Sequence, residues 1–221
     1  MTVVIPLTNS AADLVPPVII SKALAIRTYT TLDLQQGLKL GAYDHKTATP
    51  DTSHLLDVVV RGYDVPRFKY GIVTAPRFLS ATEFAEVFSP DGVLTVLYKD
   101  DVPIATAGIR FYEDDMTRAD PVHRRYCELK CLAVDPAVTA KGYASLLVEN
   151  AHQLAKELGY HVIVAQVIVE HELDSFYLKR GYIYCSDFKC GVNSAKEENG
   201  VEQFFCSREF TLRKFTRELT D

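Results

Sequence analysis

Between Tyr143 and Leu158 the apolar residues Tyr143, Ala144, Leu147, Val148, Ala151, Leu154, Ala155 and Leu158 recur at helical spacing. Shortly after, Val162 to Val169 is almost wholly apolar. An amphipathic helix that returns into a strand covered on both faces belongs to a layered α/β fold. Gly159 stands where a left-handed helix cap belongs. Around this unit the pattern alternates. Ala23 to Tyr29 reads as a strand, Thr31 to Ala42 as a helix, and Tyr43 to Ser53 as a turn-rich loop. Ser80-Ala81-Thr82-Glu83 matches a capping box and opens a helix over Ala81 to Phe88, stopped by Ser89-Pro90-Asp91-Gly92. Val93 to Lys99 and Ile104 to Tyr112 read as a hairpin turned at Asp100-Asp101, and Tyr126 to Val134 as a third strand ended by Asp135-Pro136. A short helix over Leu173 to Lys179 precedes Gly181. Tyr182 to Cys185 and Gln203 to Leu212 read as the last strands, on either side of a Gly191 to Gly200 loop. The expectation is one mixed α/β domain over residues 21–221, behind an irregular, proline-containing lead-in over residues 1–20.

The 221 residues are 48% hydrophobic and 24% charged, enough to bury a core without staples. Lys and Arg number 24 against 29 Asp and Glu, a net charge of −5 with no basic run, so nucleic acid is not an expected partner. The five cysteines (Cys127, Cys131, Cys185, Cys190, Cys206) are odd in number and form no CxxC. They read as buried free thiols in a reducing compartment. Cys127 and Cys131 have no nearby His to complete a zinc set, so no metal is expected. The N-terminus lacks a basic stretch, and the apolar LVPPVII is short and broken by Pro16 and Pro17. Neither a signal peptide nor a membrane span is read there. The expected location is cytoplasmic, with the nucleus as an alternative.

The segment from Leu132 to Ala144 carries the chemistry. A buried strand ends, a short loop turns, and Gly142 lets backbone approach a ligand before a helix opens with the small Ala144. Amides from Ala140 to Ala144 then sit at the positive end of a helix dipole, a geometry that suits a pyrophosphate, with Lys141 adding charge. The loop is neither GxxxxGK[ST] nor GxGxxG. On its own it reads more simply as an ordinary strand-to-helix turn.

Two motifs together resemble the GNAT superfamily of acetyl-CoA-dependent N-acetyltransferases. Thr139-Ala140-Lys141-Gly142-Tyr143-Ala144 resembles its Q/R-x-x-G-x-G/A loop, with Thr139 in place of Gln or Arg. Phe176-Tyr177-Leu178-Lys179-Arg180-Gly181-Tyr182 resembles its F-Y-x-x-x-G-F. The resemblance is specific from about Val93 to Tyr184. Glu170 falls where many members carry an Asn that contacts the cofactor. The resemblance implies a mixed, mostly antiparallel sheet flanked by helices, with a splayed pair of strands holding acetyl-CoA. The implied cofactor-binding residues are Leu132, Ala133, Val134, Thr139, Ala140, Lys141, Gly142, Tyr143, Ala144 and Ser145. Pantetheine, a pseudo-peptide, would pair with the strand edge near Leu132 and Val134 as an added strand does. One of those amides would polarise the thioester carbonyl.

The resemblance also implies two catalytic side chains. Glu128 shares its strand face with Lys130, Leu132 and Val134 by alternation. It stands at the family spacing of a general base acting through water, and also reads as an ion-pair partner of Lys130. An amine of pKa about 10.4 is protonated at pH 7, so freeing it costs about 4–5 kcal/mol. Tyr177 would donate to the leaving thiolate; apart from the motif it reads as a core aromatic. His152 is expected on the solvated side of the long helix, His171-Glu172 lacks metal-ligand spacing, and Glu113-Asp114-Asp115 reads as a solvated acidic loop. The implied activity is acetyl transfer to a primary amine of a small molecule by direct attack. Alternatives are a protein lysine or N-terminal acceptor, or a non-catalytic acyl-CoA-binding module. A homodimer is allowed.

Overall fold

The computed structural model describes residues 18–21, 24–38, 49–88, 90–138, 141–192, 195–197, 201–203 and 205–219. An eight-stranded sheet runs in the order β1-β2-β3-β4-β5-β6-β10-β7. These strands are Val18–Ser21 (β1), Leu24–Thr30 (β2), Val93–Lys99 (β3), Val102–Phe111 (β4), Tyr126–Val134 (β5), Val162–Ile168 (β6), Ile183–Cys190 (β7) and Phe210–Glu218 (β10). Ala195–Glu197 (β8) and Val201–Gln203 (β9) form a separate hairpin. The helices are Thr31–Gly37 (α1), Thr52–Tyr70 (α2), Ala81–Glu86 (α3), Asp115–Arg118 (α4), Tyr143–Glu157 (α5) and Asp174–Leu178 (α6). β5 and β6 pair in parallel; the neighbouring pairs β2–β3, β3–β4, β6–β10 and β10–β7 are antiparallel. This is the mixed, mostly antiparallel α/β sheet that the motifs implied.

The chain divides into two compact units. The first takes in β1 to β3, β4 as far as Ile109, α1, α3, the start of α2, the end of β5 from Cys131, and α5 as far as Ala151. Its strands are apolar because they are covered: Leu94, Val96, Leu97 and Ala105 are fully buried, as are Leu34, Val58, Phe84 and Leu147 from the helices and Phe88 from the turn after α3. Gly108 is required there, since a Cβ would sit 2.1 Å from Phe88 Cε1. Thr30 caps α1 by accepting from the Asp33 amide at 3.2 Å. The second unit takes in the rest: β6, β7, β10, α4, α6 and the first half of β5. Ile72, Ile168, Cys190, Cys206, Phe210 and Leu212 form one of its cores, and Tyr112, Tyr126, Val162 and Val164 another.

Several sequence expectations need correction. Helix α2 was not foreseen at all; Thr52 and Ser53, expected in a loop, begin it. Its buried face is Thr52, Leu55, Val58 and Val59, but Pro66 and Gly62 lie inside it. The last strand runs over Phe210–Glu218, not Gln203 to Leu212; Cys206 makes only an isolated bridge to Val73. The expected Gly191 to Gly200 loop contains β8. The expected lead-in already includes Val18 to Ile20 of β1, while residues 1–17 lie outside the described residues. So does the stretch 39–48, on which the end of the first helix and much of the following loop were placed. At Ser80 only half the capping box forms. Ser80 Oγ accepts from the Glu83 amide at 3.1 Å, but the Glu83 carboxylate accepts from Leu79 N.

Candidate active site

Strands β5 and β6 pair over three positions only, from Tyr126↔Val162 to Glu128↔Val164. β5 then runs six residues further without another β6 partner among the described residues. Cys131 marks the change: its φ of 51° is left-handed, which a non-glycine strand residue adopts at a bulge. Beyond it β5 stays with β4. Thr106 Oγ1 donates to Cys131 O at 2.7 Å, and Asp135 N to Ile104 O at 2.9 Å. The bulge interrupts the pleat, so alternation counted from Glu128 does not carry through to Leu132 and Val134. Leu132 and Val134 are half-buried, and Ala133 is buried. Gly62 of α2 lies against this strand end; a Cβ there would come within 2.9 Å of Ala133 Cβ and 3.2 Å of Val134 O.

Helix α5 begins at Tyr143, which leaves the amides of Tyr143 and Ala144 without intrahelical carbonyls. No acidic residue stands in its first turn. Gly142 before it has φ +76°, and a Cβ would meet nothing within 4 Å. Lys141 and Gly142 are exposed, while Tyr143, Ala144 and Ser145 are half-buried. An open glycine turn feeding the positive end of a fifteen-residue helix fits a pyrophosphate. Thr139 and Ala140, the other two loop residues expected to bind, lie outside the described residues.

Glu128 is buried and doubly ion-paired. Arg110 donates to its Oε2 from Nε at 3.1 Å and from Nη2 at 3.0 Å, and Lys130 Nζ lies 3.3 Å from Oε1. Both oxygens that would take a substrate proton are therefore engaged.

Tyr177, at 7% exposure, sits in an aromatic nest. Its ring stacks on Phe215 at 5.9 Å and meets Phe176 and Tyr182 edge-on. Among the described residues nothing hydrogen-bonds its hydroxyl. Burial pushes the phenol up to about 12, partly offset by the Arg180 charge, so it keeps its proton through the neutral range.

The rest of the FYxxxG segment is anchored from behind. Gly181, at φ +76°, closes α6, and Arg217 Nη1 donates to Arg180 O at 2.7 Å. Arg217 Nη1 also lies 2.8 Å from His152 Nδ1, and His152 Nε2 lies 2.9 Å from Tyr182 Oη. A guanidinium can only donate, so Nδ1 accepts and Nε2 carries the proton. His152 is thus a buried linker, not the solvated residue read from its helix position. Glu170 is occupied too: its carboxylate accepts from Thr211 N at 3.1 and 3.2 Å, tying the start of β10 to the end of β6. All five cysteines are free, and burial holds the Cys127 thiol well above the usual range, which leaves it inert. Among the described residues no group of His, Cys, Asp or Glu is placed to hold a metal ion, and no helix is long and apolar enough to cross a membrane.

The acetyltransferase (GNAT) family profile matches residues 63–182, more than half of the 221. The chain belongs to the GNAT acetyltransferase family. Solved structures agree in fold. The ribosomal-protein-S18-alanine N-acetyltransferase from Escherichia coli is 14% identical with a TM-score of 0.55, over 90% of this chain and 95% of its own. A Salmonella typhimurium protein solved with its cofactor acetyl-CoA is 15% identical with a TM-score of 0.52, over the same 90% and 95%. A variant of the spermidine N-acetyltransferase from Vibrio cholerae is 15% identical with a TM-score of 0.50, again over 90% and 95%. At such identities the likeness is one of fold alone. Among curated proteins, none matches the sequence significantly.

Proposed function

We propose that the protein transfers the acetyl group of acetyl-CoA to a primary amine of a small molecule by direct attack in a ternary complex. The observation that carries the reading is the open Gly142 turn at the start of α5, together with family membership. The amides of Tyr143 and Ala144, with the Lys141 charge, hold the pyrophosphate, and the edge of β5 at Leu132 and Val134 pairs with pantetheine. Thr139, Ala140 and Ser145 complete the loop. When bound, acetyl-CoA supplies an activated thioester carbonyl. Tyr177 donates a hydrogen bond to the sulfur as the carbon–sulfur bond breaks. A covalent acetyl-cysteine route is disfavoured by the inert Cys127 thiol. Five free cysteines suit a reducing, cytoplasmic setting. The test is calorimetry of acetyl-CoA with a folded Gly142→Asp variant, whose carboxylate would face the phosphates. Affinity should fall at least about 10-fold; unchanged affinity would remove the loop assignment.

A further inference from the structure

The ammonium form of an acceptor amine must lose a proton before it attacks, and both oxygens of Glu128 already serve Arg110 and Lys130. A different group is available on the segment that joins β6 to α6. His171 ends the short turn Val169–His171 that follows β6, six residues before Tyr177. Its Nε2 is buried and, among the described residues, has no hydrogen-bond partner. Three residues on, Asp174 Oδ1 is likewise buried without a partner, although its Oδ2 is held by Arg213. A buried polar atom without a partner is costly, and native structures keep few of them. With the imidazole proton on Nδ1, both orphaned atoms are acceptors. What is missing is a donor, and an ammonium brings three.

The ring is fixed rather than loose. It stacks on Tyr70 of α2, with centroids 5.1 Å apart and planes at 24°. Tyr70 Oη in turn shares its one proton between His171 O at 3.3 Å and Glu172 Oε2 at 3.1 Å, and accepts from Lys69 Nζ at 2.7 Å. Glu172 holds the turn in a left-handed conformation at φ 59°. The charged groups around the imidazole are Glu170 and Glu172 on its own segment and Lys69 on α2, with Arg208 reaching the Tyr70 carbonyl. Burial lowers the imidazole from its usual value, opposed by the Glu170 charge, and so keeps it neutral at pH 7.

We propose that His171 Nε2 receives the acceptor amine and takes its first proton, with Asp174 Oδ1 as a second acceptor for a cationic amine. This rests on the acetyl-transfer reading above. The proton balance closes. The ammonium passes one proton to Nε2, and the freed nitrogen bonds to the acetyl carbon as the carbon–sulfur bond breaks. The second proton lost by nitrogen ends on the sulfur, and imidazolium returns its own to solvent.

The test compares wild type with His171→Phe, which keeps the stack on Tyr70 and deletes the orphaned nitrogen; His171→Gln is the second variant should the first not fold. The substrate is an amine of pKa near 10, such as spermidine, read by CoA release across pH 5 to 10. Because burial holds the imidazole below its ordinary value of about 6.5, wild-type kcat/KM should be flat through neutral pH and fall only on the acid side of that value. The variant should be at least about 100-fold slower at pH 7. Its kcat/KM should then climb about 10-fold per pH unit, because it must wait for free amine from solution. Its thermal midpoint should hold or rise and its acetyl-CoA affinity stay within 2-fold. A wild-type profile in both variants, or an equal loss at every pH, would overturn the proposal while leaving acetyl transfer standing. A wild type that binds acetyl-CoA and acetylates no amine would overturn both.

Discussion

Replacing Tyr177 by Phe removes one hydroxyl from a nest in which the ring makes every described contact. The stack on Phe215 at 5.9 Å and the edge contacts at 5.2 and 5.4 Å survive. With no described partner lost, stability should change by less than about 1 kcal/mol. The rate should respond differently. The phenol sits at about 12, whereas an ordinary thiol lies near 8.5. Full proton transfer to the departing thiolate is therefore uphill by roughly 5 kcal/mol at 1.36 kcal/mol per unit. What the hydroxyl can supply is a hydrogen bond to a forming anion, about 1.5–3 kcal/mol. That corresponds to a loss of about 10- to 150-fold in kcat, with acetyl-CoA affinity unchanged. The assay is single-turnover CoA release, which isolates chemistry from product release. The same shift governs alkaline stability. An unfolded tyrosine ionises near 10 and the folded one near 12, so its contribution is complete below pH 10 and lost as pH rises through 12. Tyr177→Phe should flatten that part of the stability profile. Wild-type single-turnover rates in a folded Tyr177→Phe variant would refute the reasoning.

Three further outcomes are expected. Glu128→Gln removes a buried carboxylate from beside Arg110 and Lys130, at 11% and 6% side-chain exposure, and should cost about 3–5 kcal/mol by urea titration; a stable variant whose rate loss is confined to low pH would assign the base role to Glu128. Gly62→Val drives a side chain into Ala133 and Val134 and should cost about 1–3 kcal/mol by thermal melting. Turnover should survive EDTA, measured as CoA release before and after dialysis, since acylation by a thioester needs no Lewis acid; loss restored by zinc would contradict this.

What was legible in the sequence was local. The hairpin of β3 and β4 and helix α5 follow from period and turn residues, and Gly159 stands where a left-handed helix cap is needed; Gly142 and Gly181 prove to be left-handed too. Helix α2 escaped because Pro66, Gly62 and the β-branched Val58-Val59-Val60 argue against a helix one residue at a time; its buried face against the core overrides them. β10 was misplaced because Phe204-Phe205-Cys206 is more apolar than Arg213-Lys214, whose charges are matched by partners distant in sequence: Asp174, Asp187 and Asp114. The same limit applied to the site. Tyr177 and the loop have local motifs. The Lys130 partner of Glu128 is two residues away and was legible, but its Arg110 partner lies 18 residues away and the Arg217 partner of His152 lies 65 away, so neither of those pairings has a sequence signal. His171 carries none at all: its proposed role rests on a buried nitrogen that has no partner among the described residues, which no sequence pattern signals.

The central claim is that acetyl passes from acetyl-CoA to a primary amine. The direct measurement is mass spectrometry of products after incubation with isotope-labelled acetyl-CoA and a panel of polyamines, amino acids, aminoglycosides and lysine-containing peptides. The account predicts a labelled N-acetyl product on a small amine, formed one-for-one with free CoA. Label confined to peptide amines would move the acceptor to proteins. Tight acetyl-CoA binding with no labelled amine of either kind would contradict the claim and leave an acyl-CoA-binding module.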